Sequence, residues 1–299
     1  MAEQVKNFTI AAADETEPLP EGVDGWWLRQ RTLSRTLYWG VHVASISVFW
    51  VGFEPWYLAL FAASFFVRMF GITGAYHRYF AHKTYKTSRP FQFLIALLAT
   101  TAVQKGPLWW AAAHRIHHKY ADRPGDVHSP SEGFWHAHNG WIFCGLWDDS
   151  KLQEITDFAR YPELMWLNRW HIVPPAVLLV LCGLIGGSVG IVWGFVLPTV
   201  ALWHSTYCVN SIAHIFGRRR YDTPDTSRNN WLVGLLTMGE GWHNNHHHYC
   251  VSARQGFFWW EVDATYYILR GLAAVGLIWD IREPPAHVVR SQTRTARAS

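Results

Sequence analysis

Eight of the 17 histidines fall into three short runs. His77 and His82 lie in His-Arg-Tyr-Phe-Ala-His, His114, His117 and His118 in His-Arg-Ile-His-His, and His243, His246 and His247 in His-Asn-Asn-His-His. On an α-helix, positions i, i+3 and i+4 share one side, so each H-x-x-H-H aims three imidazoles the same way. One turn of helix can thereby supply ligands to two neighbouring metals. His77 and His82 are about 140° apart around an α-helix, which predicts a helix end whose two rings diverge towards separate ions. Any one histidine taken alone reads more simply as a buried or interfacial structural residue, but three runs together read as a dimetal site. Imidazole suits Zn, Cu, Fe and Ni, and the absence of Cys from the runs argues against iron–sulfur clusters and thiolate zinc while leaving zinc itself open.

The remaining histidines take the structural reading. His42 and His204 sit within apolar stretches, His171 heads one, His136 and His138 lie in the polar middle, and His287 is near the end. His248 extends the third run but points off its face.

The elements that must position these groups belong to a membrane protein. Half of the 299 residues are hydrophobic, 16% are aromatic with 19 Trp, and 16% are charged, against about 25% charged in soluble domains. A mean hydropathy of −0.02 nevertheless puts a large part of the chain outside the bilayer, where the histidines and charges collect. The net charge of +4 does not point to nucleic acid, because Lys and Arg are scattered and the aromatics sit in apolar runs. It suits loops and tails facing anionic headgroups. Cys144, Cys182, Cys208 and Cys250 are dispersed without a Cys-x-x-Cys pair, so neither a disulfide framework nor a rubredoxin-like site is expected. The start of the chain has no basic n-region followed by an apolar core, so no cleaved signal is expected.

The predicted fold is all-α and integral to the membrane. Residues 1–24 read as a flexible polar tail, 25–283 as one membrane domain and 284–299 as a basic tail without structure. Apolar stretches at 37–53, 56–76, 171–187 and 191–214 each approach the ~20 residues that a ~30 Å hydrocarbon core requires. They predict four transmembrane helices in two hairpins, the second turning in Gly186-Gly187-Ser188-Val189-Gly190. Neither hairpin loop carries Lys or Arg, whereas Arg29, Arg31, Arg35, Arg68, Arg78, Lys83 and Arg218 to Arg220 flank the opposite ends. The positive-inside rule then places both termini and every histidine run in the cytoplasm, as a helical cap on the hairpins. Phe91 to Ala113 is apolar but interrupted by Gln104-Lys105-Gly106-Pro107, and reads as interfacial or re-entrant. Tyr266 to Trp279 is too short to span and is expected on the membrane surface or against the cap.

With this spacing across four spans, the chain resembles the membrane fatty acyl desaturases, nearest to their delta-9, stearoyl-CoA desaturase-like branch of bacterial type. The likeness runs from about Gly71 to Tyr267. It includes Gly-Ala-Tyr-His-Arg-Tyr-Phe-Ala-His, the run from Trp110 to Asp122, Asn-Ser-Ile-Ala-His ending at His214, and Gly-Glu-Gly-Trp-His-Asn-Asn-His-His. The resemblance implies His214 as a ninth ligand and Asn210 reaching a metal through water. It implies one iron on His77, His118, His214 and His246, and another on His82, His114, His117, His243 and His247. Asp122, Asp126 and His128 match family positions that orient imidazoles from behind, and Glu240 could do the same. Helix capping or a loop turn explains each of these four equally well.

The implied activity is O2-dependent insertion of a cis double bond, at delta-9, into a long-chain acyl-CoA or acyl-lipid by a diiron centre. Removing hydrogen from an unactivated methylene needs redox chemistry, which zinc lacks. No haem, flavin or nicotinamide fingerprint is present, so electrons are expected from a separate ferredoxin-, rubredoxin- or cytochrome b5-like donor. With the apolar spans, the bacterial-type resemblance implies a multi-pass protein of a bacterial inner membrane. Trp109, Trp110 and Trp203 either line a dry acyl tunnel or belong to the membrane interface or the core. Ala112-Ala113 stand where animal acyl-CoA enzymes carry Arg-Asp, which leaves the head group open. A diiron hydroxylase would share the same spacing. A metal transporter would need ligands at bilayer depth, whereas every run falls at a predicted cytoplasmic end.

Overall fold

A computed structural model describes residues 25–145 and 149–291, with side chains from Arg35 onward. The tail expected at 1–24, and the last residues of the basic tail, lie outside these.

Helices dominate, as the apolar stretches predict. Helix α1 (Gly25–Ser45) precedes α2 (Tyr57–Phe70), which runs without a break into a π-helix over Gly71–Ala81. Helices α3 (Arg89–Thr100) and α4 (Pro107–Tyr120) follow. Helix α5 (Val173–Val189) leads through a second π-turn, Gly190–Val196, into α6 (Leu197–Asn210). Short α7 (His243–His248) and α8 (Ala264–Ala274) complete the body.

Two helices, Tyr57–Ala81 and Val173–Ile215, are long and apolar enough to cross a membrane. The second is broken at Gly187, whose φ of 55° and ψ of −140° are not helical. Residues on either side of the break touch: a Cβ on Gly190 would overlap the Cys182 carbonyl, and Gly183 faces Ile191. The two legs therefore lie side by side. Their outer faces leave Val180, Leu184 and Ile185 exposed, as Phe49, Trp50 and Trp56 are exposed between α1 and α2.

Two basic residues counted as flanking charges turn out to be internal. Arg68 is 2% exposed and donates to the Thr101 carbonyl and Thr199 Oγ1, and Arg78 is 1% exposed. Neither can face a headgroup.

Gly71 lets the π-helix cross α3 backbone to backbone, since a Cβ there would sit 2.8 Å from Ala99 Cα. The apolar segment read as re-entrant is α3 and α4 joined by 101–106, a loop in which Val103 and Lys105 both adopt left-handed φ, 59° and 61°. A β-branched residue there is a genuine outlier. Partners hold the loop in place: Arg68 binds the Thr101 carbonyl, Trp203 Nε1 donates to the carbonyls of Ala102 and Val103, and Tyr76 Oη to that of Lys105.

The all-α expectation needs one amendment. Lys86–Thr87 (β1) pairs antiparallel with Ile278–Trp279 (β2), so the Tyr266 to Trp279 segment is α8 plus a strand tied to the end of the π-helix. The segment after Pro284 is also not structureless. Ala286–Val289 forms a helical turn, held by Tyr221 Oη on the Val289 carbonyl and His248 on Ser291.

Candidate metal centre

Each histidine run reaches the same buried point from a different element. In α4, His114 and His118 are one turn apart with their Nε2 atoms at 3.0 Å, and His117 turns the other way. In α7, His243 and His247 are paired likewise and His246 faces across. The π-helix adds a residue to each hydrogen-bonded turn, the His82 N–H reaching the His77 carbonyl at 3.1 Å, so positions five apart return to nearly one face. The His77 and His82 rings are 4.9 Å apart. His214 comes from the turn Ile212–Ile215 after α6.

Two groups result: His77, His82, His114, His118 and His246, and His117, His214, His243 and His247, with the ligand atoms of each within 4.8 Å of one another. In the first, Nε2 pairs stand at 3.1 Å (His77–His246), 2.9 Å (His82–His114) and 2.9 Å (His118–His246). In the second they stand at 3.0 Å (His214–His243) and 3.4 Å (His117–His247). Two nitrogens bound at right angles to one ion at about 2.1 Å would be about 3.0 Å apart, so the spacing fits shared metals.

This division corrects the one implied by resemblance. His82 and His114 join His77, His118 and His246, and His214 joins His117, His243 and His247. The causes are local. An i, i+4 pair on an α-helix stays together while i+3 crosses to the other group, and π-winding cancels the divergence expected of His77 and His82.

Burial, reinforced by the surrounding imidazoles, holds His114, His118, His243 and His246 well below the ordinary histidine range. They are neutral, which is the form that ligates. Carboxylates stand behind four of the nine rings. Nδ1 of His117 donates to Asp126 (2.8 Å), that of His214 to Asp122 (3.2 Å) and that of His247 to Asp225 (2.9 Å), while Glu240 takes His77 Nδ1. Each bond leaves Nε2 bare towards the group. Burial opposes charge on these acids, but His214 and Thr226 outweigh it and hold Asp122 at about 2. Asp126 beside His117 and Asp225 beside His247 are held lower still, against the same burial.

Asp126, Asp122 and Glu240 thus each contact the Nδ1 of one imidazole, those of His117, His214 and His77. His128 instead packs against His117 with ring centroids 4.3 Å apart and planes tilted by 30°, and among the described residues its buried Nδ1 has no partner. Asp225 was missed. It lies in the loop Thr223-Pro224-Asp225-Thr226, whose sequence carries no motif. His248 stacks on Tyr221 at 4.0 Å, away from both groups. His42, His204 and His138 bond to one another in a chain of 3.0 Å links and reach neither group.

An apolar cleft of about 960 Å³, counted to its open mouth, ends on this centre. Trp109, Trp110 and Trp203 line it, with Asn210, His114 and His128 at the inner end. A smaller cavity shares Trp110, His114, His128, Thr206 and Asn210 and continues to His77, His117 and His243. Gln104 and Thr206, not singled out from sequence, shape the wall: Gln104 Nε2 donates to Thr206 Oγ1 and its Oε1 accepts from Trp110 Nε1, both at 3.1 Å.

Imidazoles gathered at the ends of apolar helices, with a greasy cleft leading to them, define the histidine-box class of membrane metalloprotein. Within it, this chain belongs to the fatty acid desaturase family, whose sequence model matches residues 54–280. It is 37% identical over 248 residues to an acyl-CoA 5-desaturase of Anemone leveillei, covering 80% of this chain and 73% of that one. An sn-2 palmitoyl-lipid 9-desaturase of Nostoc is 36% identical over 243 residues, 78% of this chain and 85% of the relative. An sn-1 stearoyl-lipid 9-desaturase of Anabaena variabilis is 38% identical over 213 residues, 71% and 78% respectively. Iron, which the family uses, is matched by the all-nitrogen donor set.

Proposed function

We propose that the protein is an O2-dependent desaturase that places a cis double bond, at delta-9, in a long acyl chain carried on CoA or a lipid. The carrying observation is the cleft: its apolar walls lead to a point bordered by residues of both histidine groups. The nine histidines hold two irons, with Asn210 acting on one through water. Bound iron supplies the oxidising power needed to break an unactivated C–H bond, electrons arriving from a separate ferredoxin-, rubredoxin- or cytochrome b5-like donor.

The chain's own residues do the rest. Trp110, lying flat on His114 and fixed by Gln104, sets where the acyl chain turns past the centre, and position decides which methylene reacts. The apolar lining of Trp109, Trp203 and Ile142 excludes water. Asp122, Asp126, Asp225 and Glu240 hold four rings in the orientation that presents Nε2. Four spans in two hairpins, the second turning at Gly187, support the cap from a bacterial inner membrane. The termini and centre face the cytoplasm. The outward-facing Val180, Leu184, Phe49 and Trp50 support the association with a membrane.

Expression in a strain unable to make unsaturated fatty acids, wild type beside His117→Ala, tests the reading. A monounsaturated acid formed only by wild type, with its double bond at delta-9 in the methyl esters, is expected. A hydroxy acid instead of an alkene, or folded protein that retains zinc alone, overturns it.

A further inference from the structure

The carboxylates behind the nine imidazoles are divided unequally. Three of the four rings in the His117 group rest on aspartates: His117 on Asp126, His214 on Asp122 and His247 on Asp225. Among the described residues no Lys or Arg comes within ion-pair distance of these acids. The other partners of their carboxylate oxygens are neutral: the Thr226 N–H and hydroxyl on Asp122, the Asp122 and His128 N–H groups on Asp126, and the Ser227 N–H and Thr223 hydroxyl on Asp225, whose backbone carbonyl, not its carboxylate, takes Arg219. Among the described residues, only His77 of the five-histidine group meets a carboxylate, Glu240, and that one is shared with the buried guanidinium of Arg78 at 3.1 Å. Arg78 also holds Asp263 at 2.9 Å.

A carboxylate that accepts the Nδ1–H of a ligating imidazole makes the ring a stronger donor. Buried charges act over several ångströms with little screening. The additional ring of the five-histidine group is neutral and contributes a dipole, whereas three unpaired aspartates contribute net charge. We infer that the two metal positions are electrostatically unequal. The iron on His117, His214, His243 and His247 has the lower reduction potential, so it becomes ferric first and is reduced last. This rests on the diiron reading above.

The test uses full-length protein loaded with iron-57 in detergent. Iron content is measured first, then Mössbauer spectra at a series of poised potentials. Wild type is expected to hold two irons per chain and to pass through a form with separate ferric and ferrous components. At a potential that half-populates the ferric state of the first-oxidised iron, Asp225→Asn lowers that ferric share about threefold or more. Asp122→Asn does the same, Asp225→Glu restores it, and Glu240→Gln changes it less than either aspartate variant while shifting the second oxidation more. Two irons that oxidise together with one spectrum overturn the inference alone, as does a first oxidation that responds to Glu240→Gln but to neither aspartate variant. Wild type holding fewer than two irons overturns the diiron reading and the inference with it.

Discussion

Trp110 donates its indole N–H to the Gln104 amide oxygen at 3.1 Å while lying on His114, with ring centroids 5.2 Å apart and planes 18° apart. The other end of the amide is committed to Thr206. A cleft wall, helix α6 and a histidine of the five-membered group are therefore joined through one amide and one indole.

Gln104→Leu removes both bonds and frees the indole to swing. Acyl conversion should fall on the order of tenfold to a hundredfold, with double bonds spread over neighbouring positions and iron content unchanged. Positional analysis of the products against metal analysis checks this, and lost iron would mean that the amide supports the centre instead of aiming the substrate.

Gly190 is where the two legs of the broken helix approach most closely, its missing Cβ directed at the Cys182 carbonyl. Gly190→Ala should destabilise the protein by about 1–3 kcal/mol by forcing the legs apart. Gly186→Ala, with open space around it, should not. Melting temperatures of the two variants in one detergent decide the matter.

Arg78 links Glu240, Asp263 and the Ala253 carbonyl while fully buried. Arg78→Leu strands two buried carboxylates, a loss of about 3–5 kcal/mol. Little folded protein is expected, with the remainder melting far below wild type. A variant of wild-type stability would show that water or protonation relieves the acids.

Stability of the metal-free protein should decline with acid. Burial pushes His247 down to about 4, although Asp225 pulls the other way, and pushes His128 down to about 3. The unfolded value is about 6.5, so below that pH the unfolded chain takes up the proton first. Stability is complete above about pH 6.5 and falls by about 1.4 kcal/mol per unit for each such histidine until the folded value is reached. Asp122, held at about 2, adds a loss of the same sign below about pH 3.8. Denaturation of chelator-treated protein at about pH 7, 6 and 5 should show a progressive drop, and a flat profile would mean these rings are solvated.

The histidine runs were legible because clustering of a rare residue at helical spacing survives any uncertainty in tertiary arrangement. The apolar stretches around 57–81 and 173–215 were legible from hydropathy for the same reason. The sorting of rings between the two groups was not, because it depends on π-winding in Gly71–Ala81, and local sequence does not distinguish a turn of five from a turn of four. Asp225 and Thr206 act across 22 and 102 positions on His247 and Gln104, so no spacing rule could pair them. Arg68 and Arg78 misled because the positive-inside rule counts charges without knowing which are swallowed by the protein.

Of the five backbone carbonyls from Thr101 to Lys105, four are held by Arg68, Trp203 and Tyr76, and the loop keeps a left-handed valine between them. Strain of that kind persists only where the surroundings over-determine it. The curve of the cleft is consequently settled when the protein folds, before any lipid arrives. Binding then freezes torsions of the guest and almost none of the host, so the conformational entropy cost of association should grow steadily with the number of methylenes threaded past Trp110.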